Sequence, residues 1–517
     1  MPHSGESPSQ AEVIEFLANP ASHGGKTVSR FDTHAAIVFL AGDRAYKLKR
    51  AVRFPFLDYS TPTLRRAMCR REVERNTLFA PDLYLSARPV TRGRAGRLEI
   101  DGKGEPVDWL VVMRRFADEA RLDLVAERNG IDSELAVQLA SMMAEAHGKA
   151  EIRDAAAWIE DLGRYIEQND QAFRADSEHF PFRRARELTQ EARATLHRLA
   201  DLLQARGRQG RIRLAHGDAH LGNIVLIDNR PMLFDAIEFD ETIATGDVLY
   251  DLAFLLMDLW ERGEYTAANR VFNRYFELAA DGSDHDALAA LPFFLMMRAA
   301  IRAKVTAAAL PHQSAADRPK TATAVARYFD WAERFLEPET PRLVAIGGLS
   351  GTGKTTQARL LAAGLGHAPG ALILRTDTLR KKLLGIPETA PAPKEAYTPE
   401  ASARVYDALY QAADRVLAAG HSVIVDAVFA RFSEREAIEA VASRVEVRFE
   451  GIWLEASHEA KVDRVSTRHA DASDADRTVV TFQESLDIGP VNWRVFDAST
   501  SIDMVQSGLR AALGICQ

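Results

Sequence analysis

Residues 348–355 read Gly-Leu-Ser-Gly-Thr-Gly-Lys-Thr, after the apolar run RLVAIG and before the helical pattern TQARLLAAG. No other stretch constrains the fold as tightly. Glycines at positions 348, 351 and 353 let backbone N–H groups converge on an anion, a geometry that joins a strand to the N-terminus of a helix. A lysine and a hydroxyl beside those amides suit phosphate oxygens and a divalent ion respectively. Gly348, Ser350, Gly351, Thr352, Gly353, Lys354, Thr355 and Thr356 therefore form the expected nucleotide-binding set. Within it Thr355 is the expected Mg²⁺ ligand, and Lys354 acts on the transferring phosphate. Around the loop RLVAIGG, ALILRTD, HSVIVDAVF, VEVRFEGIWLEA and NWRVFDAS read as strands, separated by helical stretches. One of those helices has Thr398 as its N-cap, Pro399 in its first turn and Gly420 past its end. The alternation predicts an α/β domain over 342–517, with a parallel sheet covered on both faces.

At 517 residues the chain is too long for one ordinary core. The segment LEPETP, 336–341, has two prolines and no apolar periodicity, and is the expected linker. Residues 1–335 are expected to form an α+β domain, with an N-lobe over about 1–115 and a helical C-lobe over about 116–335. AAIVFLAGDRAYKLKR reads as a hairpin turning at Ala41-Gly42-Asp43-Arg44, and Lys47 and Lys49 leave the same face of its second strand. TLRRAMCRREVERNTLF is helical and VDWLVVMRRF is a strand; beyond Leu122 the pattern is helical apart from strands near 212–215, 224–227 and 232–234.

A net charge of −8 gives no general attraction to nucleic acid or anionic membrane, and the apolar stretches are too short or too acidic to span a bilayer. Two cysteines, Cys69 and Cys516, are too few for a disulfide framework, and the first residues lack a signal-peptide pattern. The cytoplasm is the expected compartment. Nothing in the pattern sets an oligomeric state.

In the 342–517 segment, RTDTLRKK puts Asp377 at the carboxyl edge of the second strand, where open α/β sheets bind ligands. An acid there is placed to accept a hydroxyl proton, and Arg380 one turn later to hold an anionic substrate. Asp426 ends the next strand as a metal-water ligand, while Arg464 and Arg468 lie four apart on one helix face, placed to close over a phosphoryl group. These residues resemble the small P-loop kinases of the gluconate kinase, zeta-toxin and polynucleotide 5′-kinase group. The resemblance implies Asp377 as base, Arg464 and Arg468 as phosphate clamps, and ATP with Mg²⁺. A polynucleotide acceptor would need a basic path, for which Arg380, Lys381, Lys382, Arg431 and Arg435 are the candidates.

A second constellation lies in LAHGDAHLGNIVL, 214–226. Asp218 in the His-Gly-Asp turn is placed to accept a proton, Asn223 to bind metal, and Asp235 follows a short hairpin. Lys47, favoured over Lys49 by the spacing in RAYK, would contact phosphates, oriented by Glu72 or Glu74. The stretch resembles the aminoglycoside phosphotransferase and choline kinase group, whose fold is protein-kinase-like. That resemblance implies Asp247 and Asp251 as structural acids. No Gly-rich loop precedes Lys47, so the 31–44 hairpin would have to cover the phosphates. Acids in WIEDLGRYIEQND, with Asp258 and Glu261, are placed to receive a cationic acceptor.

The expected protein is a bifunctional kinase with two Mg-ATP sites and hydroxyl acceptors: a small molecule at the first site, and a small molecule, nucleotide or oligonucleotide 5′-hydroxyl at the second. The alternative is a nucleotide-sensing protein in which one domain binds without transferring phosphate.

Overall fold

The computed structural model describes residues 8–33, 35–54, 57–279, 282–467 and 472–515. Packing divides the chain into two units, Met1–Asp161 with Leu203–Leu255, and Leu162–Leu202 with Leu256–Gln517.

The first unit is built on the expected hairpin. Ala36–Ala41 pairs antiparallel with Arg44–Lys49, and Ala41 opposite Arg44 leaves Gly42 and Asp43 as a two-residue loop with Gly42 at φ 62°. The full sheet runs Val28–Asp32, Ala36–Ala41, Arg44–Lys49, Glu105–Arg114, Tyr84–Arg92, Leu98–Ile100 in spatial order. The sequence pattern had not marked the first strand or the two late ones. Period-two alternation sorts the two faces: Ile37, Phe39 and Leu48 pack with Val13, Ile14 and Leu17 of the helix Pro8–Ala18. Ala45 packs on the other face with Cys69 and Val111. Cys69 belongs to the helix Pro62–Thr77, which Thr61 caps by accepting from Leu64 N–H. Lys47 and Lys49 share the parity of Ala45, so both point toward that helix.

In the same unit Ile212–Leu214 pairs with Thr245–Asp247, a strand the helical pattern hid. Ile224–Ile227 and Arg230–Leu233 form the second hairpin, turned by Asp228 and Asn229 at φ 52° and 61°. Burial pushes the Cys69 thiol up to about 12; Cys516 lies outside the described residues.

The second unit contains a five-stranded parallel sheet in the order Leu372–Arg375, Val423–Asp426, Arg342–Gly347, Arg448–Glu455, Arg494–Asp497. All five expected strands are present, and Val344, Ile346, Ile373, Ile424 and Ile452 contribute to one core. Thr398 caps the helix Pro399–Ala418 as expected. One exposed edge would be Leu372–Arg375, but the helix Tyr265–Leu278 covers it. Asn273 Oδ1 accepts from Ile373 N–H at 2.7 Å, and Asn269 and Asn273 amides donate to Ala371 O at 3.1 and 3.2 Å. Two side chains thus do for the edge what a sixth strand would do. Among the described residues no helix is long and apolar enough to cross a membrane.

Candidate active sites

In the first unit, Lys47 Nζ lies 2.8 Å from Glu72 Oε1 and 2.7 Å from Asp235 Oδ1. Burial opposes the Lys47 charge, but Asp235 and Glu72 outweigh it and hold the ammonium well above its usual pKa. Glu72 is fully buried, and Lys47 and Lys49 overcome that burial to keep its carboxyl below the ordinary range. Glu74 is exposed and faces neither lysine. The spacing had left Lys47 and Lys49 as alternatives, yet both touch Glu72: Lys49 Nζ is 2.6 Å from Glu72 Oε2 and 2.6 Å from Glu238 Oε1.

The helix carrying Glu72 also sets the two segments that bear Asp218 and Asp235. Asn76 Oδ1 accepts from Ala236 N–H at 2.8 Å, and Arg75 donates to Ala215 O at 2.6 Å. Asp235 sits at φ 61° with its N–H on Tyr84 Oη at 3.0 Å. Asn223 donates to Asp218 Oδ2 at 2.8 Å and to Asp218 O at 3.0 Å, fixing the carboxylate. His216 is buried, donates from Nε2 to Phe234 O at 3.0 Å, and that burial pushes its pKa below the ordinary histidine value. Asp251 accepts from Gly217 N–H at 2.9 Å, and Asp247 is buried against Arg206. Both act as framework acids.

In the second unit, Gly351 and Gly353 adopt φ 85° and 90°. A Cβ on Gly351 would lie 2.6 Å from Lys461 O, and one on Gly348 2.5 Å from Leu454 O. Both positions therefore require glycine. Thr355 Oγ1 is 2.5 Å from Asp426 Oδ2, and Lys354 Nζ donates to Leu349 O at 3.0 Å. Ser350, Gly351, Gly353, Lys354, Thr355, Thr356, Asp377, Arg380 and Asp426 all line one cleft of about 670 Å³. Asp377 is the second residue of the helix Thr376–Leu384, two positions past the strand end at Arg375. Thr352 is buried, with its hydroxyl on Leu349 O.

The structure places Arg464, Lys381 and Arg435 differently from the expectation. Arg464 donates to Gly351 O at 3.3 Å and Ala498 O at 2.7 Å, so it braces the loop backbone instead of reaching over the cleft. Arg468 lies outside the described residues. Of the candidate basic path, Lys381 is buried on Asp474 at 2.9 Å and Arg435 on the carbonyls of Phe429, Ile488 and Pro490. Arg380, itself buried with Nη1 donating to Ala396 O and stacked on the Tyr397 ring at 4.7 Å, and Arg431 are the two that line the cleft. Four of the acids expected to receive a cation are likewise paired: Asp258 with Arg262, Glu261 with Arg327, Glu167 with Arg193, Asp170 with Arg174.

Residues 40–291 match the phosphotransferase enzyme family, and residues 343–486 match an AAA domain. The chain thus joins a segment that matches the phosphotransferase enzyme family to an α/β domain with a phosphate-binding loop. The uncharacterized protein Rv2004c of Mycobacterium tuberculosis strain ATCC 25618 / H37Rv is 29% identical over 460 residues, 86% of this chain and 87% of that protein. Among solved structures, a choline/ethanolamine kinase family protein from Mesorhizobium loti is 14% identical, covering 64% of this chain and 95% of that one, with a TM-score of 0.33. The Mycobacterium tuberculosis APS kinase CysC in complex with AMPPNP and APS is 21% identical, covering 34% of this chain and 99% of that one, with a TM-score of 0.26.

Sequence reasoning missed Tyr84, Asn76, Glu238 and Gln483, whose Oε1 accepts from the phosphate-loop Ser350 N–H at 2.7 Å. Each acts across a long sequence separation and sits in no motif. Only the three-residue spacing from Asp235 to Glu238 offered a local signal.

Proposed function

We propose that this phosphotransferase is bifunctional, with each domain transferring the γ-phosphate of Mg-ATP to the hydroxyl of a small molecule. One observation supports this best: each domain closes its own set of phosphate and metal groups, Lys47 on Glu72 and Asp235 in one, Thr355 on Asp426 in the other. Mg-ATP supplies the phosphoryl group and the divalent charge that steadies it.

The chain's residues do the rest. Asp218, oriented by the Asn223 amide, accepts the acceptor's hydroxyl proton at the first site. Asn223 and Asp235 would hold the metal there, and Lys47 the phosphates. At the second site the glycine-bounded loop and Lys354 would cradle the β- and γ-phosphates, with Thr355 and Asp426 on the metal. Asp377 serves as base, and Arg380 and Arg431 face the acceptor in the same cleft. About 670 Å³ suits a small molecule and the end of a nucleotide. The internal engagement of Lys381 and Arg435 weighs against a polynucleotide track.

The test is ADP formation and mass gain of one phosphoryl group across sugars, amino alcohols, nucleosides and oligonucleotides, with Asp218→Asn and Asp377→Asn made separately. The proposal expects each substitution to silence a different acceptor. Loss of all turnover with one substitution and none with the other would make the domain of the silent substitution a binding module.

A further inference from the structure

We propose that Lys49 is a positioning residue of the first site, a fixed counter-charge that holds Glu72 and the Asp235 segment in place so that Lys47 is free to leave Asp235 for a nucleotide phosphate. The inference rests on the reading of that site as a nucleotide site.

Lys49 is 2% exposed, and an ammonium so buried needs all three donors met. They are met by Glu72 Oε2 at 2.6 Å, Glu238 Oε1 at 2.6 Å and Tyr59 Oη at 3.3 Å. Those partners come from three places: the helix Pro62–Thr77, the segment three residues beyond Asp235, and the turn before the helix. Lys49 therefore ties the helix to the Asp235 segment without reaching the open side of the site.

Lys47 is situated differently. Its side chain is 18% exposed, and it shares Glu72 through the other oxygen, Oε1, while its second partner Asp235 is 46% exposed. The Glu72 carboxylate is thus held at both oxygens, and Lys49 fixes the plane in which Oε1 meets Lys47. Two lysines face three carboxylates, Glu72, Glu238 and Asp235. Without Lys49, two buried carboxylates would be left to one ammonium, and Lys47 would be drawn inward, away from any phosphate. Lys49 acts on the nucleotide only through Lys47.

That dependence gives a test. In the full-length chain carrying Lys354→Ala, which silences the second site, calorimetry measures the Kd of Mg-AMPPNP and a thermal melt reports folding. Lys47→Met and Lys49→Met should each weaken binding by about 10- to 100-fold, the loss of one charged hydrogen bond. The double variant should bind no more weakly than Lys47→Met alone, because the two losses are one. Glu238→Gln, which keeps the shape should Lys49→Met fail to fold, should weaken binding less and again not add to Lys47→Met. Unchanged affinity in Lys49→Met and Glu238→Gln, with only a lower melting temperature, would reduce Lys49 to a core ion pair and overturn the inference. Additive losses, or loss in Lys49→Met with none in Lys47→Met, would make Lys49 the phosphate lysine and overturn it too. A Lys354→Ala chain that binds no nucleotide would overturn the two-site reading, and this inference with it.

Discussion

The two candidate sites solve the same chemical problem with opposite materials. The second site is local: one loop of eight residues would supply the proposed anion cradle from its own backbone, with Thr355 reaching Asp426 across two neighbouring strands. The first site has no such loop. Its candidate phosphate lysine, Lys47, is held by side chains, Glu72 at 25 residues' separation and Asp235 at 188. Backbone amides are fixed once the loop folds, whereas a charged side-chain cluster is fixed only when every partner is in place. The first site should therefore be the more cooperative of the two, and the second the more modular.

The largest effects should come from the proposed bases. Asp218→Asn and Asp377→Asn each keep shape and remove a proton acceptor, so transfer at the altered site should fall by roughly 10²–10⁴-fold. Nucleotide binding should persist in both, measured by calorimetry alongside ADP formation. Equal loss of binding in Asp377→Asn would make that acid a metal or structural group and blur the contrast between the sites. Next in size, Lys354→Ala should remove the second site's equivalent from a nucleotide titration and leave the melting curve nearly unchanged. Glu72→Gln at the first site should lower both affinity and melting temperature, because it loosens two lysines at once. If both variants changed affinity alone, the cooperative description of the first site would be wrong.

A smaller effect sharpens what modular means here. Asn273→Ala removes the acceptor for Ile373 N–H on the sheet edge and should cost about 1–3 kcal/mol. The loss should appear in the melting of the second unit and leave nucleotide affinity at the first site unchanged. An unchanged melt would mean that the helix Tyr265–Leu278 merely lies along the edge.

The sequence carried the second site nearly whole, because its motif is contiguous and its five strands are apolar runs between turn signals. It missed the edge cover, because Asn269 and Asn273 read as ordinary polar positions on an amphipathic helix. Asp218, Asn223 and Asp235 were legible through their order along the chain. The Lys47 and Lys49 ambiguity was a real property of the molecule: both share one strand face and one glutamate, which no spacing rule anticipates. Arg464 and Arg435 misled for a common reason. A long guanidinium on a helix face reads as a solvent or substrate group, and only the fold reveals the backbone carbonyls it meets.

The central claim is that one chain carries two independent nucleotide sites, and titration of the intact protein with Mg-AMPPNP tests it most directly. Two equivalents per chain are expected. Lys354→Ala should remove one and Asp235→Ala should weaken the other, each without shifting its neighbour by more than a few-fold. A single equivalent in the intact protein, abolished by Lys354→Ala, would leave the first domain as a kinase-like scaffold and contradict the account.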